Sequence, residues 1–206
     1  GRAVIGMEPQ VVSDSDLVSR CRQGDLSAFE GLYQRYRLPL YSYLNRLVSG
    51  QSQTADDLFQ QTWVKVLDNL GRYSEQQRFV SWLIRIARNA CIDHLRRRKA
   101  RPPRQDIPAE DMHDLAHGGP TPEDELVRSS RQRLVHRALQ ELSEINREII
   151  ILKDIQGLPL EEISTMLDLP LGTVKSRSSR ARLELAKVVT NLGHGPHGPA
   201  GAEAAL

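Results

Sequence analysis

Beyond Trp82 the chain has no Phe, Tyr or Trp: all ten lie between Phe29 and Trp82, leaving 124 residues without one. A protein that unstacks or flips bases needs π faces, so any such work falls to the N-terminal half. Duplex reading through Arg and Ser side chains has no such requirement and stays open to the rest. Cysteine is scarce as well. Cys21 and Cys91, the only two, are too few for a disulfide framework and lack the paired C-x-x-C spacing of a structural zinc site; both read as reduced and buried. Long apolar runs are missing, as is a charged n-region ahead of an apolar segment, so neither a spanning helix nor a secretory signal fits, and a cytoplasmic protein is expected. There is no Gly-rich phosphate loop and no G-x-S-x-G or H-E-x-x-H motif. Cys91, Asp93 and His94 share one helical turn, but no second pair complements them, so a buried Cys beside a surface His is the better reading. Neither enzymatic activity nor a cofactor or metal is expected.

What is present is charge in blocks. The net charge of +2 averages over segments of opposite sign. Arg85 to Arg104 carries eight Arg and Lys against the single acid Asp93, Gln105 to Val127 has seven acids and no Arg or Lys, and Leu171 to Lys187 has five basic residues against Glu184. A basic, acidic, basic order predicts two surfaces that meet polyanion, joined by a segment that repels it. Arg101 to Pro122 holds five Pro, the pair Gly118-Gly119 and no helical period; it reads as a flexible acidic linker over 101–122. Two domains follow, 13–100 and 123–192. Residues 1–12 read as an N-terminal extension in which Gly1 to Gly6 precede a start at Met7 and resemble an added segment, and 193–206 as a disordered tail.

Both domains read as helical, giving an all-α chain of two small helical domains. Asp14 is expected to cap a helix with Leu17, Val18 and Cys21 on one face, ending at Gly24. Asp25 starts another, with Ala28, Phe29, Leu32, Tyr33 and Tyr36 in three-four spacing; Pro39 is expected to break it, and a third runs through Tyr43, Leu44 and Leu47 to Gly50. Thr54 is expected to cap Ala55 to Leu70, and Phe79 to Lys99 to form a long helix with a basic end. Beyond the linker come helices over 125–142 and 144–155. No stretch alternates apolar and polar residues well enough for a sheet.

Leu160 to Leu167 is apolar at Leu160, Ile163 and Leu167, with Glu161 and Glu162 outward. Pro170 ends it, and Thr173 is expected to cap a second short helix, which is the helix-turn-helix arrangement. At 100° per residue the second helix turns Val174, Ser178, Ala181 and Leu185 inward. Its opposite side presents Thr173, Ser176, Ser179 and Arg180, flanked by Lys175 and Arg182 on one shoulder and Arg177 on the other. Short donors with an Arg suit base edges, and flanking cations suit phosphates.

In the first domain, Leu58, Phe59, Trp63, Val66 and Leu70 face inward. The outer face of the same helix, with Asp57, Gln60, Gln61 and Val64, is neutral for so charged a chain and suits protein docking. Downstream, Tyr73, Phe79 and Trp82 sit among Arg72, Arg78, Arg85, Arg88 and the Arg96 to Lys99 cluster, a mixture of rings and cations with single-strand-binding character. Phe79 and Trp82 are expected in the core, which leaves Tyr73 as the ring for a base.

Two segments carry a family resemblance. DDLFQQTWVKVL followed by FVSWLIRIARNACIDHLRRRK resembles region 2 of the extracytoplasmic-function sigma factors, and LSEINREIIILKDIQGLPLEEISTMLDLPLGTVKSRSSRARLEL resembles their region 4. The resemblance implies a bacterial initiation subunit that binds core RNA polymerase and directs it to promoter DNA, under control of an anti-sigma factor. It further implies that Asp57, Gln60 and Gln61 dock on the clamp helices of the largest core subunit, and that Tyr73, Ser74 and Asn89 line a pocket for a base flipped from the minus-ten strand, with Arg78 and Arg85 near the backbone. Lys153, Lys175, Ser176, Ser179 and Arg180 would contact the minus-thirty-five duplex, and the linker would thread the RNA exit path. Ser178 and Ser179 are smaller than the residues such relatives usually carry there. The competing reading is a helix-turn-helix regulator that does not bind core polymerase and would not need the Asp57 face or the aromatic-basic segment.

Overall fold

The computed structural model describes residues 12–49, 51–100 and 132–193. All regular elements among these residues are helical: α1 (Asp14–Arg22), α2 (Leu26–Leu47), α3 (Ser52–Asn69), a 3-10 turn (Leu70–Arg72), α4 (Phe79–Ala100), α5 (132–140), α6 (Glu144–Ile150) running into a π-helical turn (Ile151–Ile155), α7 (Leu160–Leu167) and α8 (Leu171–Gly193). The expected linker 101–122, the N-terminal extension and nearly all of the tail lie outside the described residues, as does the start of the expected 125–142 helix.

Helix α1 packs on α2, and α3 and α4 close the first bundle over Leu32, Leu40, Tyr43, Leu44, Leu58, Phe79, Leu83 and Ile84, all 1% exposed or less. Pro39 does not break α2, contrary to expectation: the helix runs through it from Leu26 to Leu47. A proline inside a helix costs about 3 kcal/mol. Leu32, Leu40, Tyr43 and Leu44 share the buried face, and each such side chain contributes roughly 1.5–3 kcal/mol when removed from water; the continuous face outweighs the lost bond. The first cap is Ser13, whose Oγ accepts from the Asp16 N–H at 3.1 Å, rather than Asp14. Asp25 caps α2 as expected, accepting from the N–H groups of Ser27 (2.9 Å) and Ala28 (3.2 Å). Helix α3 begins a turn before Thr54, with Gln51 as the cap residue and the Ala55 N–H on the Gln51 carbonyl at 2.9 Å. Polar Ser52 and Gln53 allow that extra turn at the surface.

The second group is built on aliphatic residues. Ile149, Ile151, Leu152, Ile163, Val174 and Ala181 are fully buried between α6, the π turn, α7 and α8. Arg147 ties its loops together, donating to the carbonyls of Leu139 (2.9 Å), Gln140 (3.2 Å) and Leu142 (3.2 Å), a cation at the C-terminal end of α5 where helix carbonyls outnumber the N–H groups that could pair them. The expected 144–155 helix changes period at Ile151, and the Gln156 N–H reaches the Ile151 carbonyl five residues back at 2.9 Å. Gly157, at φ 69°, then reverses the chain, and the Leu158 N–H closes on the Leu152 carbonyl at 3.0 Å; a left-handed residue with this six-residue closure is what glycine permits.

The two groups touch. Glu148 of α6 accepts from Arg88 of α4 (Nε to Oε1 2.7 Å, Nη2 to Oε2 3.4 Å) and from the Tyr43 hydroxyl at 3.4 Å. The pair is 20% and 12% exposed. Ser81 donates to Glu162, and Gln156 Nε2 to the Pro39 carbonyl at 3.2 Å. Burial, then the Glu148 charge, push the Cys91 thiol up to about 11 beside this contact, so it stays protonated. Cys21, expected buried, is half-buried.

Candidate nucleic-acid and polymerase interfaces

The first candidate surface is the outer side of α3. Leu58, Phe59, Trp63 and Val66 are buried, and Asp57, Gln60 and Gln61 are exposed, as the helical period predicts. Val64 (58% exposed) and Leu67 (52% exposed) continue the stripe. Leu67 was not among the residues expected on this face, though its three-residue spacing from Val64 would have marked it. Apolar side chains flanked by amides and two acids, Asp57 and Asp68, form a surface a protein partner can dry. Behind Asp57 lies His94, held below its ordinary pKa by burial and by Arg98 and Arg97, with Asp57 opposing.

The second surface is α4 with the loop before it. Arg78, Arg85 and Asn89 are exposed; Arg85 and Asn89, four residues apart, share one stripe of α4, and Arg78 directly precedes the helix, its carbonyl accepting from the Trp82 N–H at 3.2 Å. Ser74 is exposed in the loop, its Oγ accepting from the Gln76 N–H at 3.4 Å. Tyr73 is different. The sequence leaves it free for a base, but its ring is 6% exposed, packed on Phe79 (centroids 5.6 Å) and Trp82 (5.1 Å), with its hydroxyl donating to the Gln77 carbonyl at 2.7 Å. Arg22 pins the loop from below through the carbonyls of Leu70 and Tyr73. Three rings clustered in a core exclude more water than two, which is why Tyr73 joins the pair already expected there. Arg88, in the same basic segment, is engaged with Glu148.

The third surface is α7, its turn and α8. Asp168 ends α7 at φ 52°, a left-handed conformation that short polar Asp tolerates. Ser164 closes the turn by donating to the Leu169 carbonyl at 2.6 Å while accepting the Leu169 N–H on its own carbonyl at 3.1 Å. Helix α8 starts at Leu171, directly behind Pro170 and ahead of Thr173, and runs 23 residues, so it is neither capped by Thr173 nor short. Pro170 needs no N–H where helix donors are unpaired anyway. Val174, Ser178 and Ala181 are fully buried. Lys175, Ser176, Ser179, Arg180 and Arg182 are exposed, and Thr173 and Arg177 half-buried. Ser176 and Ser179 donate to the carbonyls of Thr173 (3.0 Å) and Lys175 (3.2 Å), leaving oxygen lone pairs outward. Two expected duplex cations are engaged within the protein instead: Lys153 Nζ donates to Ser178 Oγ at 2.9 Å, and Arg182 is paired with Asp154, its Nε on Oδ2 at 3.0 Å. Arg177 Nε is shielded from solvent.

A helix-turn-helix with an exposed Ser, Lys and Arg face defines a DNA-binding protein. Comparison with known proteins narrows this. Sigma-70 region 2 matches residues 32–101 and Sigma-70 region 4 matches residues 132–185. The RNA polymerase sigma-H factor of Pseudomonas aeruginosa is 34% identical over 188 residues, covering 87% of this chain and 95% of that protein. The ECF RNA polymerase sigma-E factor of Haemophilus influenzae is 35% identical, covering 83% and 92%, and the ECF sigma factor SigM of Mycobacterium tuberculosis is 35% identical, covering 89% and 88%. Among solved structures, the sigma factor RpoE in complex with the anti-sigma factor NepR from Bartonella quintana superposes with a TM-score of 0.58 at 25% identity, over 77% of this chain and 96% of that one. CnrH in complex with the cytosolic domain of CnrY shares the fold at a TM-score of 0.62 and 24% identity, over 86% and 97%. The chain belongs to the extracytoplasmic-function sigma factors, and it is an alternative sigma factor for transcription initiation, binding core RNA polymerase and promoter DNA.

Proposed function

We propose that the three surfaces divide initiation among them. The outer α3 face, with Asp57, Gln60, Gln61 and the apolar Val64 and Leu67, docks on core polymerase. Ser74, Arg78, Arg85 and Asn89 hold the unpaired minus-ten strand: guanidinium groups take the phosphates and the Asn89 amide, both donor and acceptor, reads a base edge. Tyr73 supports that site from beneath the loop and offers its ring only once the loop moves. Thr173, Ser176, Ser179 and Arg180 read the minus-thirty-five duplex from the major groove, with Lys175 on the phosphates beside them. The domains are 13–100 and 123–192, with the acidic 101–122 segment between them repelled from DNA by like charge. The protein has no chemistry of its own and acts in the cytoplasm, under an anti-sigma factor that covers the same faces.

The observation that carries this reading is the presence, on one chain, of an exposed amide and apolar stripe on α3 and an exposed Ser, Lys and Arg face on α8, each backed by a closed core. A plain helix-turn-helix regulator needs only the second. Titration of the full chain into core polymerase tests it: binding that weakens in Asp57→Arg with Gln61→Ala while helicity is unchanged is expected, and wild-type affinity in that variant removes the α3 face from the interface.

A further inference from the structure

Ser178 is a hydroxyl on the inward stripe of α8, fully buried between Val174 and Ala181. A buried hydroxyl without a partner is costly, and here the partner is an ammonium. Lys153, in the π-helical turn, sends Nζ to Ser178 Oγ at 2.9 Å. The next residue of the same turn, Asp154, sets both carboxylate oxygens on the Arg182 guanidinium. Ser178 and Arg182 are one helical turn apart on α8. Two consecutive side chains of one turn therefore grip two successive levels of one helix, one inside and one at the surface. Asn146 of α6 adds a further tie, donating to Glu184 at 3.3 Å.

A single contact lets a helix roll about its axis. Two contacts at successive turns, on differently directed side chains, fix both its rotation and its position along the axis. Rotation decides which side chains meet base edges, because neighbouring positions differ by about 100°. The period change is what makes the grip possible: a five-residue hydrogen-bonded turn in place of a four-residue one re-aims the side chains that follow, and such turns recur at functional sites.

We infer that Lys153 and Asp154 are positioning residues that set the angle of the α8 reading face and thereby the sequence selectivity of the protein, and that Lys153 does so without holding a DNA phosphate. The inference rests on α8 reading duplex DNA. Asp154 has a second consequence. It holds Arg182, whose side chain is 56% exposed, in a pair of its own, and so withholds one surface cation from sequence-independent phosphate binding.

The test uses the full chain with core polymerase on two duplexes, one selected by this holoenzyme from a randomised library and one of scrambled sequence, each titrated across a salt series. Lys153→Met is expected to lower the selected-to-scrambled affinity ratio at least about fivefold, the size of a misread base pair, with the salt slope unchanged. Lys153→Met with Ser178→Ala, which removes both polar partners at once, is expected to regain most of the ratio. Asp154→Asn is expected to strengthen scrambled-duplex binding and steepen its slope by about 0.9, because the released Arg182 neutralises one more phosphate. A Lys153→Met variant that loses equally on both duplexes and whose slope falls by about 0.9 holds a phosphate, which overturns the inference; so does a ratio unchanged in Lys153→Met, or one not recovered in the double variant. Arg180→Ala in the same assay separates the two levels. A ratio it does not move overturns the reading of α8 and the brace with it, whereas a ratio that it lowers while Lys153→Met leaves it intact overturns the brace alone.

Discussion

The two helical groups solve the same packing problem with different materials. The first packs nine of its ten rings against one another: Phe29 and Tyr33 meet Trp63 at 5.8 and 5.1 Å, Tyr41 meets Phe59 at 5.9 Å, Tyr36 meets Phe79 at 5.1 Å, and Tyr73 meets Trp82 at 5.1 Å. The second has no Phe, Tyr or Trp and stacks Ile, Leu and Val around buried or half-buried polar ties, Lys153 to Ser178 and Arg147 to three carbonyls. Aromatic concentration therefore reports core construction before it reports base stacking. What the first group shows to solvent at its proposed DNA face is Arg78, Arg85 and Asn89, and the proposed difference between the groups in DNA binding comes down to which polar groups lie over each core.

The largest effect expected from this contrast is on stability. Phe79→Ala removes a ring that is 1% exposed and touches three others, and should cost about 3–5 kcal/mol. Ile151→Ala, fully buried in the second group, should cost about 2–5 kcal/mol. Denaturant melts of the full chain measure both, and equal sensitivity of minus-ten and minus-thirty-five binding to either variant would erase the distinction between the cores.

Next is the contact between the groups. Glu148→Ala leaves the mostly buried Arg88 guanidinium without its carboxylate and should cost about 2–4 kcal/mol, somewhat under the loss for a fully buried pair. Arg88→Met with Glu148→Leu should recover most of it. A double-mutant cycle with coupling near zero would show that the contact carries nothing.

Arg180→Ala should cost about 1–3 kcal/mol in promoter binding and relax selectivity at one or two positions. Lys175→Ala should weaken all duplexes alike and flatten the salt slope by about 0.9. An equal loss on every sequence for Arg180→Ala would make it a backbone contact.

The smallest effect is at the α2 cap. Hydrogen bonds from Ser27, then Arg20, hold the Asp25 carboxyl down to about 2. A carboxylate depressed in the folded state adds stability that is complete above its unfolded pKa, near 4, and is lost as pH falls through about 2. Asp25→Asn should therefore flatten the acid limb of a stability-against-pH curve between about pH 4 and 2, leaving neutral pH nearly unmoved, since Asn also caps.

Much of this was legible in the sequence because periodicity is local. The inward and outward faces of α3, the Asp25 cap and the buried Val174, Ser178 and Ala181 stripe follow from spacing alone. What was not legible depends on partners distant in sequence. Pro39 looks like a break until the buried face on both sides of it is seen whole. Tyr73 looks free until Phe79 and Trp82 close over it. Lys153 reads as a cation for the duplex, and only the fold brings it to Ser178, twenty-five residues on.

The division of labour between the groups is tested most directly by permanganate footprinting of promoter complexes formed with core polymerase and the wild-type, Asn89→Ala or Arg180→Ala chain, on intact and pre-melted templates. The account predicts that Asn89→Ala binds the intact duplex as wild type but loses thymine reactivity in the minus-ten region, and that Arg180→Ala loses intact-duplex binding yet gives wild-type reactivity once bound to the pre-melted template. Loss of binding and of reactivity in the same proportion in both variants would contradict it.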